Sequence, residues 1–165
     1  MSIYITIYLK EKGKLELTKE QWWDFDLSSL TYHREDGSAI EQYNGDKYWF
    51  INDKLHREDG PAIEHIDGTN EWYINGKLHR EDGPAIEQYN GDKWWYINGK
   101  RHREDGPAVE YSDGVKSWYI NDELIYELTK KQLTKYMKLN NYTLAHLLTD
   151  PDDVVRKSAE KFKWK

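Results

Sequence analysis

Apolar and polar positions alternate with period two through most of the first 125 residues, in runs too short for helices. Ile3-Tyr4-Ile5-Thr6-Ile7-Tyr8-Leu9 is rich in β-formers, Lys12-Gly13-Lys14 turns, and Leu15-Glu16-Leu17 returns. This predicts an N-terminal hairpin. Thr18 followed by Gln21 fits a capping box for a short helix carrying Trp22, Trp23 and Phe25. Further along, Pro84-Ala85-Ile86-Glu87-Gln88-Tyr89 reads as one strand and Trp94-Trp95-Tyr96-Ile97 as the next. Asn90-Gly91 between them predicts a type I′ hairpin turn, with positive φ at both central residues. Asn98-Gly99 predicts a second such turn. Beyond residue 124 the pattern turns helical. Thr129 with Gln132 is another capping box, opening a helix to about Lys138 that Asn140-Asn141 breaks. Leu144 to Leu148 predicts a second short helix. Asp150 as N-cap and Pro151 at the first helical position predict a third, with Val154, Val155, Ala159 and Phe162 as its apolar stripe.

The strand pattern is periodic at a longer scale. His-Arg-Glu-Asp occurs at 33–36, 56–59, 79–82 and 102–105, each 23 residues after the last. A fixed period of this length marks a repeat architecture in which each unit leans on its neighbours. The first turn recurs as Asn44-Gly45, Asp67-Gly68 and Asp113-Gly114, the second as Asn75-Gly76, Asn52-Asp53 and Asn121-Asp122. The chain is therefore expected to be mostly β, an antiparallel β-hairpin repeat array with a small C-terminal α-helical cap. Residues 1–32 form an N-terminal hairpin and helix cap, 33–123 the repeats, and 124–165 the helical segment.

Alternation assigns the faces. Trp49, Trp72, Trp95 and Trp118 share one with Ile51, Ile74, Ile97 and Ile120, predicting a continuous core stripe. The opposite face carries Phe50, Tyr73, Tyr96 and Tyr119 beside a position that varies: Tyr48, Glu71, Trp94, Ser117. Gln42, His65, Gln88 and Tyr111 vary likewise. Repeated positions describe the scaffold, and varying ones suit a specific partner. A contact surface is expected on Tyr48, Phe50, Tyr73, Trp94, Tyr96 and Tyr119, because aromatic residues are enriched where proteins meet. The same face would be core if the C-terminal helices packed over it.

Composition narrows the chemistry. Trp 8 and Tyr 13 against Phe 3 assign burial to large amphipathic rings. Cys 0 excludes disulfides, thiolate catalysis and Cys-ligated zinc. No apolar run approaches the ~20 residues of a membrane span, and the N-terminus has no basic leader region. A cytoplasmic protein is expected. The charge of -6 is uneven: residues 1–128 hold 15 Lys+Arg and 26 Asp+Glu, giving -11, and residues 129–165 hold 9 and 4, giving +5. An acidic body argues against nucleic-acid binding, which needs clustered cations.

The His-Arg-Glu-Asp copies invite a metal or acid–base reading. Equivalent residues in two-strand repeats stand roughly 10 Å apart, whereas two imidazoles on one zinc each place a nitrogen about 2.0–2.1 Å from it. No metal or cofactor is expected. A structural ladder is expected instead, with His33, Arg34, His56, Arg57, His79, Arg80, His102 and Arg103 partnering turn groups and carboxylates. Gly37, Gly60, Gly83 and Gly106 are expected to supply a turn, and Pro61, Pro84 and Pro107 to start the following strand. Gly99-Lys100 lacks the other residues of a phosphate loop, and no serine lies in a nucleophile elbow. Catalytic residues are therefore not assigned.

Trp95-Tyr96-Ile97-Asn98-Gly99-Lys100-Arg101-His102, followed by Tyr111-Ser112-Asp113-Gly114, resembles a MORN-type repeat, a likeness covering about 33–121. Arg34, Arg57, Arg80 and Arg103 stand where that family usually has Gly after His, so the chain resembles a variant branch of bacterial and phage type. The resemblance implies a β-hairpin solenoid that binds proteins or membranes and has no fixed chemistry. One specific version is a phage-encoded inhibitor of a host defence factor. Residues 147–159 are similar to a single HEAT-like unit. An acidic nucleic-acid mimic, or a membrane-associated scaffold using the basic C-terminal helices, are the alternatives to a protein-binding module.

Overall fold

The computed structural model describes residues 4–24 and 30–161. Phe25 and Phe162, both assigned above to helices, lie outside them. β1 (Ile5–Leu9) pairs antiparallel with β2 (Gly13–Leu17), and α1 (Lys19–Trp23) follows with the predicted Thr18–Gln21 capping box. Ile5, Ile7, Leu9 and Leu17 bury one side of this hairpin against Leu30.

Each 23-residue copy then contributes two hairpins. The first joins the main sheet: Ile40–Gln42 with Lys47–Tyr48, Ile63–Glu64 with Asn70–Glu71, Ile86–Glu87 with Lys93–Trp94, and Val109–Glu110 with Lys116–Ser117. With β1 and β2 these make a ten-stranded antiparallel sheet, β1 lying between β2 and the first copy. The second, outer hairpins are Phe50–Ile51 with Lys54–Leu55, Tyr73–Ile74 with Lys77–Leu78, Tyr96–Ile97 with Lys100–Arg101, and Tyr119–Ile120 with Glu123–Leu124. They line up as a second row, tied by Gly76 N–H to Leu55 O and Gly99 N–H to Leu78 O, both 2.8 Å.

The strand read through Trp94–Ile97 is in fact two, because the chain turns a corner at the tryptophan. Trp49, Trp72 and Trp95 donate their amides to Ala62, Ala85 and Ala108 of the next copy. Their carbonyls accept from His56, His79 and His102. The corner residue thus bonds in two directions, which separates the sheet row from the outer row.

The two turns differ in kind. In the outer hairpins both central residues have positive φ, as at Asn98 (53°) and Gly99 (81°), and Asn52-Asp53 and Asn121-Asp122 adopt the same form. In the sheet hairpins only the glycine does, as at Gly91 (94°). There the Gly91 amide bonds Gln88 O and Gln88 N–H bonds Asp92 O. This is a three-residue loop with a glycine bulge, not the type I′ turn that Asn-Gly predicted. Asn90 Oδ1 accepts the Asp92 amide, a bond that suits ordinary φ.

The predicted tryptophan core is also corrected. Of the repeat tryptophans, Trp118 is fully buried, while Trp49, Trp72 and Trp95 are half-buried. The inner positions belong to Ala39, Ala62, Ala85 and Ala108, with Ile63, Ile86 and Val109 beside them. Each half-buried indole is roofed by an arginine of the next copy: Arg57 over Trp49 at 4.1 Å, Arg80 over Trp72 and Arg103 over Trp95 at 4.0 Å. The glycine of each loop makes room for it. A Cβ on Gly83 would stand 2.8 Å from Arg80 Cζ, and Gly37, Gly60, Gly83 and Gly106 lie outside the positive-φ region. They serve arginine stacking, not a turn conformation.

Both ends imitate a neighbour. Tyr8 of β1 takes the place of a preceding tryptophan: it donates to Ala39 O, accepts from His33 N–H, and lies 3.8 Å beneath Arg34. At the other end no further copy exists to roof Trp118. α2 (Lys130–Asn140), α3 (Leu144–Leu148) and α4 (Asp153–Lys161) cover it instead. Trp118 Nε1 donates to Asp152, and the ring meets Tyr136 edge-on at 5.5 Å. Leu128, Leu133, Leu147, Val155 and Ala159 complete that core. α2 carries its predicted box and ends at Asn141 in the left-handed region. α4 starts later than predicted: Asp152 accepts the amides of Val154 and Val155 and is the cap. Asp150 instead accepts the Asp152 amide and the Tyr136 hydroxyl.

Candidate functional site

Three surfaces carry the repeated side chains. The first is the loop ridge. Arg57 Nε donates to Asp59 at 2.9 Å, and its Nη1 donates to Pro61 O and to Glu64 at 2.7 Å. Arg80 and Arg103 repeat this pattern. The paired arginines hold the Asp36, Asp59 and Asp82 carboxyls below the ordinary carboxylate range. Each arginine fork is satisfied inside its own copy. The histidines reach the outer turns. His56 directly follows an outer hairpin, and its Nδ1 accepts the Asn75 amide of the next outer turn at 3.2 Å. His33 and His79 do the same with Asn52 and Asn98. These imidazoles brace one hairpin on another. Among the described residues no three His, Asp or Glu side chains converge as metal ligands.

The second surface is the aromatic face. Tyr48 and Trp94 lie in the main sheet, on one row with Ile40, Ile63, Ile86 and Val109. Phe50, Tyr73, Tyr96 and Tyr119 lie in the outer row. Tyr73 Oη donates to Glu71 at 2.9 Å across the Trp72 corner, so the two groups share a side. All six predicted contact residues are half-buried. Burial pushes the phenols of Tyr48, Tyr73 and Tyr96 up, and Glu71 adds to the effect at Tyr73. Arg101 covers Tyr119 at 4.0 Å. The C-terminal helices do not bury this face as a whole: they pack on Trp118, at the end of the array.

The third surface was not foreseen. Tyr43, Ile66 and Tyr89 occupy the first position of successive sheet turns and are 68%, 71% and 71% exposed. Their backbones are pinned. Tyr43 N–H bonds Tyr4 O at 2.7 Å, Ile66 N–H bonds Asp46 Oδ1 at 2.8 Å, and Tyr89 N–H bonds Thr69 Oγ1 at 3.3 Å. The copy-four turn adds Tyr111 and Val115, also exposed. The rim meets the aromatic face at His65, which sits 3.2 Å from Asp46 and edge-on to Tyr48 at 6.1 Å. The signal was present in the sequence: an apolar residue just before Asn-Gly or Asp-Gly, a turn position that packing does not require to be apolar.

No protein-family model matches the chain, and no curated protein or solved structure matches it either. Among the described residues, no helix is long and apolar enough to cross a membrane.

Proposed function

We propose that this chain is a non-catalytic repeat module that binds a protein partner. The observation that supports it best is the turn rim: apolar Tyr43, Ile66 and Tyr89 are solvent-exposed on backbone held by hydrogen bonds to the preceding strand or copy. Side chains presented this way lose little backbone freedom on association, which lowers the entropic cost of binding. Tyr48 and Trp94 extend the contact onto the sheet. The MORN-like pattern agrees with such a role. In the narrower version, an inhibitor of a host defence factor, the partner is a host protein whose activity falls on binding.

The test is a cross-linked pull-down from a lysate of the native host with the wild-type chain and a Tyr43→Ser/Ile66→Ser/Tyr89→Ser variant. The substituted side chains lie outside the buried clusters, but Tyr43 stacks on Tyr4 at 4.6 Å, so circular dichroism checks that the variant is folded. Loss of the partner by about tenfold or more is expected if these residues are central to the contact. Equal capture by both chains would refute the rim as the contact.

The exposed carboxylates Glu35, Asp36, Glu58, Asp59, Glu81 and Asp82 favour a second reading, an acidic mimic that occupies a nucleic-acid site. Its binding would fall steeply with salt and ignore the rim substitutions.

A further inference from the structure

We propose that the ridge of His-Arg-Glu-Asp loops in copies one to three is a docking track for a basic amphipathic helix of the protein partner. This rests on the protein-binding reading above and names the chemistry of the partner. The chain itself displays the interaction once. α2 lies against the fourth loop, where Lys135 Nζ bonds Glu104 at 2.9 Å. One turn later, Leu139 and Asn140 line the groove between copies three and four, beside Trp95, Ile97 and His102. The Lys135 ammonium holds the Glu104 carboxyl below its ordinary range.

The groove between copies one and two is built from the same residue types 46 positions earlier, with Trp49, Ile51, His56 and Glu58 for Trp95, Ile97, His102 and Glu104. Among the described residues, no helix lines it. Coverage by α2 is visible in the carboxylates. Glu104 and Asp105 are 59% and 40% exposed, whereas Glu58 and Asp59 are both 85% exposed. In the uncovered copies each aspartate is held by its arginine, while among the described residues Glu35, Glu58 and Glu81 meet only an imidazole Nε2 at 3.7–3.8 Å. The glutamates are therefore the groups placed to receive incoming cations, as Glu104 receives Lys135.

The direction and spacing follow from α2. Its first turn lies near Ile120 of copy four and its last turn reaches the boundary with copy three, so it advances along the array. Copies of two sheet strands repeat every ~10 Å, and seven helical residues rise about 10.5 Å. A partner helix with Lys or Arg at every seventh position meets one glutamate per copy. An aliphatic residue four positions after each cation, as Leu139 follows Lys135, falls over Trp72 and Ile74 beyond Glu81, over Trp49 and Ile51 beyond Glu58, and near Tyr8, the stand-in for a tryptophan, beyond Glu35. The -11 charge of residues 1–128 complements such a helix.

The experiment uses the full chain and a fluorescent three-heptad peptide with Lys at every seventh position and Leu four residues after each Lys. A peptide of the same composition in scrambled order is the control. Anisotropy at low salt should show the heptad peptide binding about tenfold more tightly than the scramble, and the Glu35→Gln/Glu58→Gln/Glu81→Gln variant losing about that factor, as expected for three exposed pairs acting together. Circular dichroism checks that the variant is folded. Equal affinity for the two peptides, or an unchanged affinity in the variant, would overturn the proposal. If the rim-dependent partner of the preceding section is still captured, the helix track alone falls. If it is not, the protein-binding reading falls with it.

Discussion

Gly83→Ala tests the account of the repeat boundary most directly. The new Cβ would lie 2.8 Å from Arg80 Cζ and 3.0 Å from its Nε, closer than real Cβ contacts allow. The guanidinium is the end of a flexible side chain, so it moves. What it leaves is the cost: the Trp72 ring 4.0 Å below, Asp82 at 2.9 Å, Pro84 O at 3.2 Å and Glu87 at 3.0 Å. The stack contributes about 0.5–1 kcal/mol at an exposed site. The hydrogen bonds to Pro84 O and Glu87 add about 1–2 kcal/mol in total once solvent screening at this partly exposed group is allowed for. Against this, Gly→Ala outside the positive-φ region stabilises by about 0.4–1 kcal/mol through the unfolded chain. The net expectation is about 1–2 kcal/mol of destabilisation, or a fall in Tm of roughly 2–8 °C for a chain of this size. Urea unfolding followed by tryptophan fluorescence measures it. The decisive comparison is Gly83→Ala in an Arg80→Ala background. There the clash is gone and only the unfolded-state gain remains, so the substitution should change sign and stabilise. An equal loss in both backgrounds would refute the role given to glycine.

Three further outcomes are expected. Ser158→Ala removes the acceptor for the buried Leu128 amide, bonded at 2.7 Å, and should cost about 1–3 kcal/mol, with amide exchange in α4 accelerating before exchange in the sheet. Asn98→Ala places a Cβ-bearing residue without a local polar side chain at φ 53° and should cost about 1 kcal/mol, whereas Asn98→Gly should leave the melting temperature the same or higher. The Ser112 amide, 2.7 Å from Asp92 Oδ1, holds that carboxyl below its ordinary value. Its contribution is therefore present above the ordinary carboxylate pKa of about 4 and is lost as pH falls through the lowered value. The urea midpoint of Asp92→Asn, followed from neutral pH downward, should decline less steeply over that acidic window than that of the wild-type chain. Parallel curves would show that Asp92 does not carry the effect.

Much of the architecture was written in the residue pattern. Four copies of His-Arg-Glu-Asp at one spacing, each followed by two turn signals, dictated a hairpin array. Thr18–Gln21 and Thr129–Gln132 announced two helix starts, and Asn141 a helix end. These signals are local: a capping side chain bonds an amide three residues away, and φ is restricted by the residue itself. They need no knowledge of the rest of the chain.

Tertiary structure decided what each repeated side chain does. Alternation put the tryptophans in a core, but the chain turns at each of them, so the strand period breaks where the inference relied on it. Alanine took the inner position because neighbouring copies approach closely there. Nothing local marks Arg80 as the roof of Trp72, eight residues earlier and one copy away, or Gly83 as the space that admits it. Tyr8 standing in for a tryptophan, and α2 to α4 standing in for the next copy over Trp118, are likewise consequences of stacking. A repeat sequence fixes its unit through bonds between near neighbours in the chain. The packing between units, and therefore which side chains remain for a partner, is set only when the copies meet.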